Sequence, residues 1–327
     1  MSADPANNPE RLHDKPTGLI SISDIGVVIG LPILTTISWL VPASCWPGVC
    51  RFISGLAMAF QPDRWGERAK IIENWAHGAE SDEKPSARAL ARAAMAVEIE
   101  RSLLMLRLHR PFKRWCDVTL VGAEHIDAAL AKGKGAIIWD SHFALATTGT
   151  KIALSRSGYG LHHLSNIYHG YSSTSFGIRA LNPIWVAAEM KAIAERVVVA
   201  YVNPRPALDA LRARLEENSI VSIVVRSEAS RVVTTPFFDV TLALAPGAPV
   251  LAAKTAAQLL PVFTVRDKSG KVVTTVEAPI DLSGYEENRP AVQAAVDAYA
   301  KRLEPWLRQY PDQWLSWGQL IQRKPRT

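Results

Sequence analysis

Short apolar runs alternate with segments of helical periodicity across most of the chain, and this alternation leaves few folds open. Strand candidates lie at 118–121, 136–139, 197–201, 220–225 and 260–265. Between them, 124–131, 145–155, 205–217 and 248–258 carry apolar residues at helical spacing. Strand and helix in turn imply α/β: a mixed, largely parallel sheet flanked by helices, because a parallel pair needs a crossover that is usually a helix. The run 87–109, rich in Ala, Leu, Arg and Glu, predicts a long helix that ends before Pro111. A last amphipathic helix is expected from Arg289, closing on Trp306, Trp314 and Trp317 as packing residues. With 327 residues and 48% hydrophobic content, the chain has material for one large core. No repeat or low-complexity block marks a second large domain.

The amino-terminal part has a different character. Residues 1–17 are polar, with Pro5, Pro9 and Pro16, and read as a mobile leader. From Gly18 to Cys50 the sole charge is Asp24, and 26–41 is apolar almost throughout. That run falls just short of the roughly 20 residues a perpendicular span needs. Pro32, Pro42 and Pro47 are expected to interrupt a straight helix, and no clean signal-cleavage site follows. A monotopic or partly inserted anchor is therefore expected. Residues 51–79 mix Phe52, Leu56, Phe60 and Trp65 with Arg51, Arg64, Arg68 and Lys70, which suits an element lying at headgroup level. The division is thus 1–17 leader, 18–79 membrane-associating segment, and 80–327 a single α/β domain.

A net charge of +6 and a pI near 9.3 favour anionic partners. The basic residues are scattered and carry no nucleic-acid-binding signature, so an anionic membrane surface or a phosphorylated lipid fits better. Cys45, Cys50 and Cys116 form neither a disulfide framework nor a CxxC pair, which points to a reducing compartment. His162, His163 and His169 match no zinc spacing, and no metal is expected.

The chemistry centres on Lys132-Gly-Lys-Gly-Ala-Ile-Ile-Trp-Asp-Ser-His142, a turn feeding an apolar run that stops at a histidine. A buried strand that delivers a histidine to its own end suits a general base. If the strand continued, Asp140 and His142 would share a face about 6.5 Å apart, so Asp140 is a candidate partner for the ring. Ser141 would point the other way, and no Gly-x-Ser-x-Gly elbow supports a serine hydrolase.

Gly122-Ala-Glu-His-Ile126, Gly133-Lys-Gly-Ala-Ile-Ile138 and His142-Phe143 resemble the lysophospholipid acyltransferase superfamily, in particular the lauroyl/myristoyl acyltransferases of lipid A biosynthesis. Pro236-Phe-Phe238, 245–254, Pro261-Val-Phe263 and Tyr310-Pro-Asp-Gln-Trp-Leu-Ser-Trp317 continue the likeness in order. The resemblance implies transfer of a fatty acyl chain from acyl carrier protein or coenzyme A to a lipid or lipid-like acceptor, with His142 as base and no cofactor. It further implies the cytoplasmic face of a bacterial inner membrane. One departure is chemical: the family's His-x4-Asp/Glu motif reads His-x4-Thr here, ending at Thr147. A hydroxyl orients an imidazole but supplies no charge to imidazolium, and losing an orienting carboxylate in a triad enzyme can cost about 10⁴ in rate. Glu228 is a second candidate replacement. Arg226 and Arg231 are candidate phosphate clamps, Arg179 a candidate headgroup contact with a partly buried side chain, and His163 a candidate lining residue of the acceptor pocket. The alternative is a lipid-binding protein that keeps the acyl groove without catalysis.

Overall fold

The computed structural model describes residues 16–60, 87–113, 115–200, 203–226, 232–282, 284, 288–317 and 320–322. Its strands in chain order are β1 (Val118–Val121), β2 (Ala136–Asp140), β3 (Leu161–Asn166), β4 (Glu195–Val199), β5 (Ile220–Val224), β6 (Val233–Phe237), β7 (Val240–Leu244), β8 (Gln258–Arg266), β9 (Val272–Val276) and β10 (Leu320–Gln322). The helices are α1 (Ile22–Leu40), α2 (Trp46–Phe60), α3 (Ala87–Arg107), α4 (Ala123–Leu130), α5 (Ala146–Arg156), α6 (Asn182–Glu189), α7 (Arg205–Glu216), α8 (Gly247–Thr255) and α9 (Asn288–Gln309). A seven-stranded sheet runs in the order β1-β9-β8-β2-β5-β3-β4, and β10-β7-β6 form a small antiparallel sheet. The block β8-β2-β5-β3-β4 is wholly parallel, and β9 turns back antiparallel to β8. The α/β architecture expected from the alternation is the one observed.

Strand parity sorts the core. Ile137 and Trp139 of β2, with Val221, Ile223, Leu259 and Phe263, pack under Leu211 and Leu215 of α7, Leu251 of α8 and Tyr299 of α9. Ala136 and Ile138, with Ile220, Leu260 and Val262, meet Ile126 of α4 and Leu154 of α5 on the other face. All five residues of β2 are buried, as a central strand covered on both faces requires. Gly135 enters β2 at φ +70, where a Cβ would stand 2.6 Å from the Ser219 carbonyl oxygen, so this turn needs glycine.

Two expectations differ. Residues 161–166, absent from the strand candidates, form β3; of its inward positions Leu161, His163 and Ser165, one alone is aliphatic. α1 continues through Pro32 for 19 residues, about 28 Å at 1.5 Å per residue and close to the roughly 30 Å hydrocarbon core. It is also fastened to the domain at both ends. Thr174 Oγ1 donates to Asp24 Oδ2 at 2.8 Å, Ser38 Oγ to the Leu103 carbonyl at 2.8 Å, and Trp39 Nε1 to the Leu106 carbonyl at 3.1 Å. Thr17, placed in the leader by sequence, already bonds Ser173. Within the amphipathic stretch only residues to 60 are described, and Arg64, Trp65, Arg68 and Lys70 lie outside the described residues.

Candidate active site

β2 hands on to α5 on one face of the sheet, whereas its neighbour β5 returns through β6, β7 and α8 to β8 on the other. Where adjacent parallel strands part in this way, the carboxyl ends frame a crevice that open α/β sheets use for ligands. His142 sits at that point, two residues beyond β2, and Arg226 two beyond β5.

The backbone around His142 is held from both sides. Ser141 N–H donates to the Val262 carbonyl at 2.8 Å, Val225 N–H to the Asp140 carbonyl at 2.8 Å and Phe143 N–H to the Ser141 carbonyl at 2.9 Å. The carboxy-terminal segment then docks on the loop: Ala144 N–H donates to the Gln313 carbonyl at 2.7 Å and Leu315 N–H to the His142 carbonyl at 2.9 Å. Gln313 in turn clamps the Arg266 backbone, donating through Nε2 to its carbonyl and accepting from its N–H, both at 2.8 Å. Trp314 and Trp317, buried and edge-to-face at 5.1 Å, lock the segment down, so these tryptophans are packing residues as expected.

Ser316 stands between those tryptophans and meets the ring, with Oγ 2.6 Å from His142 Nδ1. Among the described residues no carboxylate bonds this imidazole. Burial, then the charges of Arg226 and Arg101, hold the ring well below its ordinary value of 6.5. His142 is thus a neutral imidazole in the physiological range, directed through Nδ1 by a hydroxyl and faced by two cations.

Asp140 does not take the place of the absent acid. β2 ends at Asp140 and the chain turns, so the shared-face relation to His142 is lost. Its carboxyl follows the parity of Ala136 and Ile138 toward α5, where Thr150 Oγ1 donates to it at 3.0 Å. There burial pushes its pKa up to about 7, against the opposing effects of Thr150 and Lys151. Thr147, in the first turn of α5, is nearly buried, but the ring bonds Ser316 instead. Arg179 is exposed in the π-helical turn Gly177–Leu181, correcting the partly buried placement: its apolar neighbour Leu181 turns inward and leaves it outside. His163 lines no pocket at the surface. It is 1% exposed on β3, with Nδ1 3.2 Å from Ser222 Oγ. Glu228 and Arg231 lie outside the described residues.

His163 and Asp140 belong to a polar layer between the sheet and α5 and α6. Hydroxyls run from Thr274 to Thr264 to Thr150 at 2.8 Å each, ending on Asp140. Beside them Lys151 pairs with Glu189, and His169 Nε2 lies 3.0 Å from the same carboxylate oxygen. Burial alone would raise Glu189, but Lys151 and then His169 outweigh it and keep the carboxyl well below its ordinary range. The layer is an ionised pair with hydroxyl and imidazole neighbours, its Lys151 and Glu189 buried and His169 partly exposed.

Cys116 is buried, and its thiol is pushed up to about 11 by burial, which leaves it an inert packing residue. Two surface depressions, one lined by Tyr159, Lys191 and Ile193 and the other by Lys134, Arg212 and Lys254, lie at the amino ends of the strands, far from His142. Sequence reasoning missed Ser316 and Arg101 as groups acting on the His142 ring. Of these only Ser316 carried a signal, as the polar residue inside a tryptophan-rich motif.

Residues 185–323 match the family model described as Bacterial lipid A biosynthesis acyltransferase. The match covers less than half of the chain, includes Arg226 and Ser316, and begins after His142. No curated protein matches the chain. The family match supports acyltransferase activity in general.

Proposed function

We propose that the protein moves a fatty acyl chain from an acyl thioester, carried by acyl carrier protein or coenzyme A, to a lipid or lipid-like acceptor, with His142 as general base. One observation carries this reading: the hydrogen bond from His142 to Ser316 ties the strand-end histidine to the segment that matches the acyltransferase family. With Nδ1–H donating to Ser316 Oγ, Nε2 is the basic nitrogen. It takes the proton of the acceptor hydroxyl while that oxygen attacks the thioester carbonyl carbon. The carbon–sulfur bond then breaks, and the thiol leaves with the proton from His142. Arg226, two residues beyond β5, is the cation we assign to the oxyanion that forms between the two steps.

Location at a bacterial inner membrane, on its cytoplasmic face, is part of the same proposal. α1 has the length and apolarity of a spanning helix, yet its polar ties to Thr174, Leu103 and Leu106 lay it along the domain. The outward stripe Ile22, Ile25, Ile29, Ile33 and Leu40 is exposed at helical spacing, and Phe52 and Leu56 of α2 are exposed as well. That pattern fits a monotopic anchor. The segment just before α1 is joined to the loop after β3 by bonds from Ser175 N–H to the Gly18 carbonyl and from Phe176 N–H to the Leu19 carbonyl. The same loop carries His169 and Tyr171, so a membrane-borne acceptor would reach the cleft from the α1 side.

A second reading, a lipid-binding protein without catalysis, is favoured by the carboxylate-free surroundings of His142 among the described residues. Purified protein given radiolabelled acyl carrier protein or acyl coenzyme A and an extracted membrane lipid mixture separates the two. A labelled lipid made by wild type and absent with His142→Ala establishes the transferase. Bound acyl chains without product from either donor establish the second reading.

A further inference from the structure

A second histidine, His169, stands at the carboxyl edge of the sheet and takes no part in the acid–base step. Ile138 of β2, Ser222 of β5 and His163 of β3 share one rung of the parallel block. Adjacent strands lie about 4.8 Å apart, so roughly 10 Å separates β2, which leads to His142, from β3, which leads to His169. The chain turns as soon as it leaves β3: His169 N–H donates to the Asn166 carbonyl at 3.2 Å and Tyr168 N–H to Asn166 Oδ1 at 2.9 Å. The His169 ring is thereby folded back over the strand end, 6.2 Å from the His163 ring and edge-on to Trp185 of α6 at 5.9 Å.

The neighbours of this ring decide where its proton sits. Nε2 lies 3.0 Å from Glu189 Oε1, and Lys151 of α5 pairs with the same oxygen inside the fold. Lys151 keeps the Glu189 carboxyl ionised, and an ionised carboxylate only accepts, so the hydrogen in the bond belongs to Nε2. Burial, with Lys151 and Arg226 behind it, holds His169 below its ordinary 6.5 against the opposing effect of Glu189. A neutral imidazole has one N–H, and with that hydrogen on Nε2 the other nitrogen, Nδ1, carries a lone pair. Nδ1 has no hydrogen-bond partner among the described residues and is not sealed, the side chain being 13% exposed. A lone pair fixed from behind by a buried ion pair cannot exchange roles to suit its ligand, as a hydroxyl does; it receives donors alone.

We propose that His169 Nδ1 is a binding point for a hydroxyl or amine of the lipid acceptor, with the buried Lys151–Glu189 pair fixing it as a receiver of hydrogen bonds. That the ligand is the acyl acceptor rests on the acyl-transfer reading; the hydrogen bond itself does not. The loop that carries His169 is stitched to the chain around the start of α1: Thr17 N–H donates to the Ser173 carbonyl at 3.0 Å, and Thr174 Oγ1 to Asp24 Oδ2 at 2.8 Å. A ligand on His169 is therefore held by a loop anchored to the helix with the exposed apolar stripe, which suits a headgroup whose chains stay in the membrane. Headgroups with free hydroxyls or amines offer the required donor. Ester, ether and ionised phosphate oxygens offer only acceptors and are refused at Nδ1.

The test follows the ring nitrogens of ¹⁵N-labelled histidine in the full chain in neutral detergent micelles, with His169 assigned by the signals lost in His169→Phe. That variant removes both nitrogens and leaves the Lys151–Glu189 pair in place. The probes are monooleoylglycerol, its dimethyl ether, and oleylamine. The expected result is an Nε2–H tautomer at His169 and an Nδ1 signal that moves with monooleoylglycerol or oleylamine but not with the ether. His169→Phe should weaken the responding probe about tenfold, and His169→Asn, whose amide oxygen is again an acceptor, should recover part of the loss. A response to monooleoylglycerol alone names a hydroxyl, to oleylamine alone an amine, and to both a donor of either kind. An Nδ1–H tautomer, an equal response to the ether, no response to any probe, or wild-type affinity in a folded His169→Phe overturns the site. Donor-selective binding without acyl transfer would keep the site and remove the transferase reading, whereas acyl transfer with an unchanged KM in His169→Phe would do the reverse.

Discussion

Removing the hydroxyl in Ser316→Ala strips the His142 ring of the contact that directs it. The bond is 2.6 Å long and Ser316 is 5% exposed, so bulk water has little access to replace it. A neutral hydrogen bond contributes about 0.5–1.5 kcal/mol, and an unpaired buried nitrogen costs about 1–3 kcal/mol. A loss of about 1.5 kcal/mol in both stability and transition-state energy is the central expectation. That is roughly a tenfold fall in turnover, far below the 10⁴ that accompanies loss of an orienting carboxylate. The difference has a reason: the serine gives direction without charge. Because burial and the cations Arg226 and Arg101 hold His142 below 6.5, the base is free throughout the neutral range and the acidic limb of the pH–rate profile lies lower still. Ser316→Asp places a carboxylate on Nδ1 and moves that limb upward, whereas Thr147→Asp moves it less, since the ring bonds position 316. Urea unfolding and initial rates from pH 5 to 9 measure both quantities. Full wild-type turnover in Ser316→Ala with an unchanged profile would show that Nδ1 is not what positions the base.

Three further outcomes are expected. Lys151→Met leaves Glu189 buried without its counter-ion and should lower stability by about 3–5 kcal/mol, while Lys151→Met with Glu189→Leu recovers most of the loss; equal urea midpoints for the single and double variants would contradict a paired charge. Asp140, with a folded pKa of about 7 against 3.8 unfolded, contributes stability that is complete below pH 3.8 and lost as pH rises through 7. Asp140→Asn should therefore gain on wild type between pH 4 and 7, with a slope approaching 1.4 kcal/mol per pH unit, and should keep acyl transfer; loss of transfer in a folded variant would return Asp140 to the base. Ile29→Glu with Ile33→Glu on the exposed stripe of α1 should reduce partition onto anionic vesicles more than tenfold, and unchanged co-sedimentation would remove α1 as the anchor.

The layers of the fold were legible because apolar periodicity reports burial against both faces of a sheet. Strand 118–121 was recovered in full, and the helices at 124–131, 145–155 and 205–217 lie within a residue or so of their observed ends. β3 escaped because the layer it faces is polar, so His163 and Ser165 occupy positions where the pattern calls for aliphatic side chains. The strand-end position of His142 was legible, but the ring's partner was not, for two reasons. Parity arguments hold only while a strand continues, and β2 stops at Asp140. The actual contact joins residues 174 positions apart, a separation that no local spacing encodes.

The described acidic groups nearest the base lie beneath it, not beside it. Asp140 and Glu189 both sit in the layer under α5 and α6, where Thr150 and Lys151 satisfy them, and the crevice above is left with hydroxyls, imidazoles and the cations Arg101 and Arg226. In such a site the fifth residue after His142 carries a hydroxyl, Thr147, and the ring's own partner, Ser316, carries another. A histidine whose protonated form is disfavoured by burial and by the charges of Arg226 and Arg101 gains basicity when an anionic group comes near it. His142 should therefore be a weak base in the free protein and a stronger one in the complex, so that substrates lacking an anionic group near the acceptor lose kcat and not merely affinity. A neutral acceptor that turned over with the same kcat as its phosphorylated counterpart would show that His142 needs no such help.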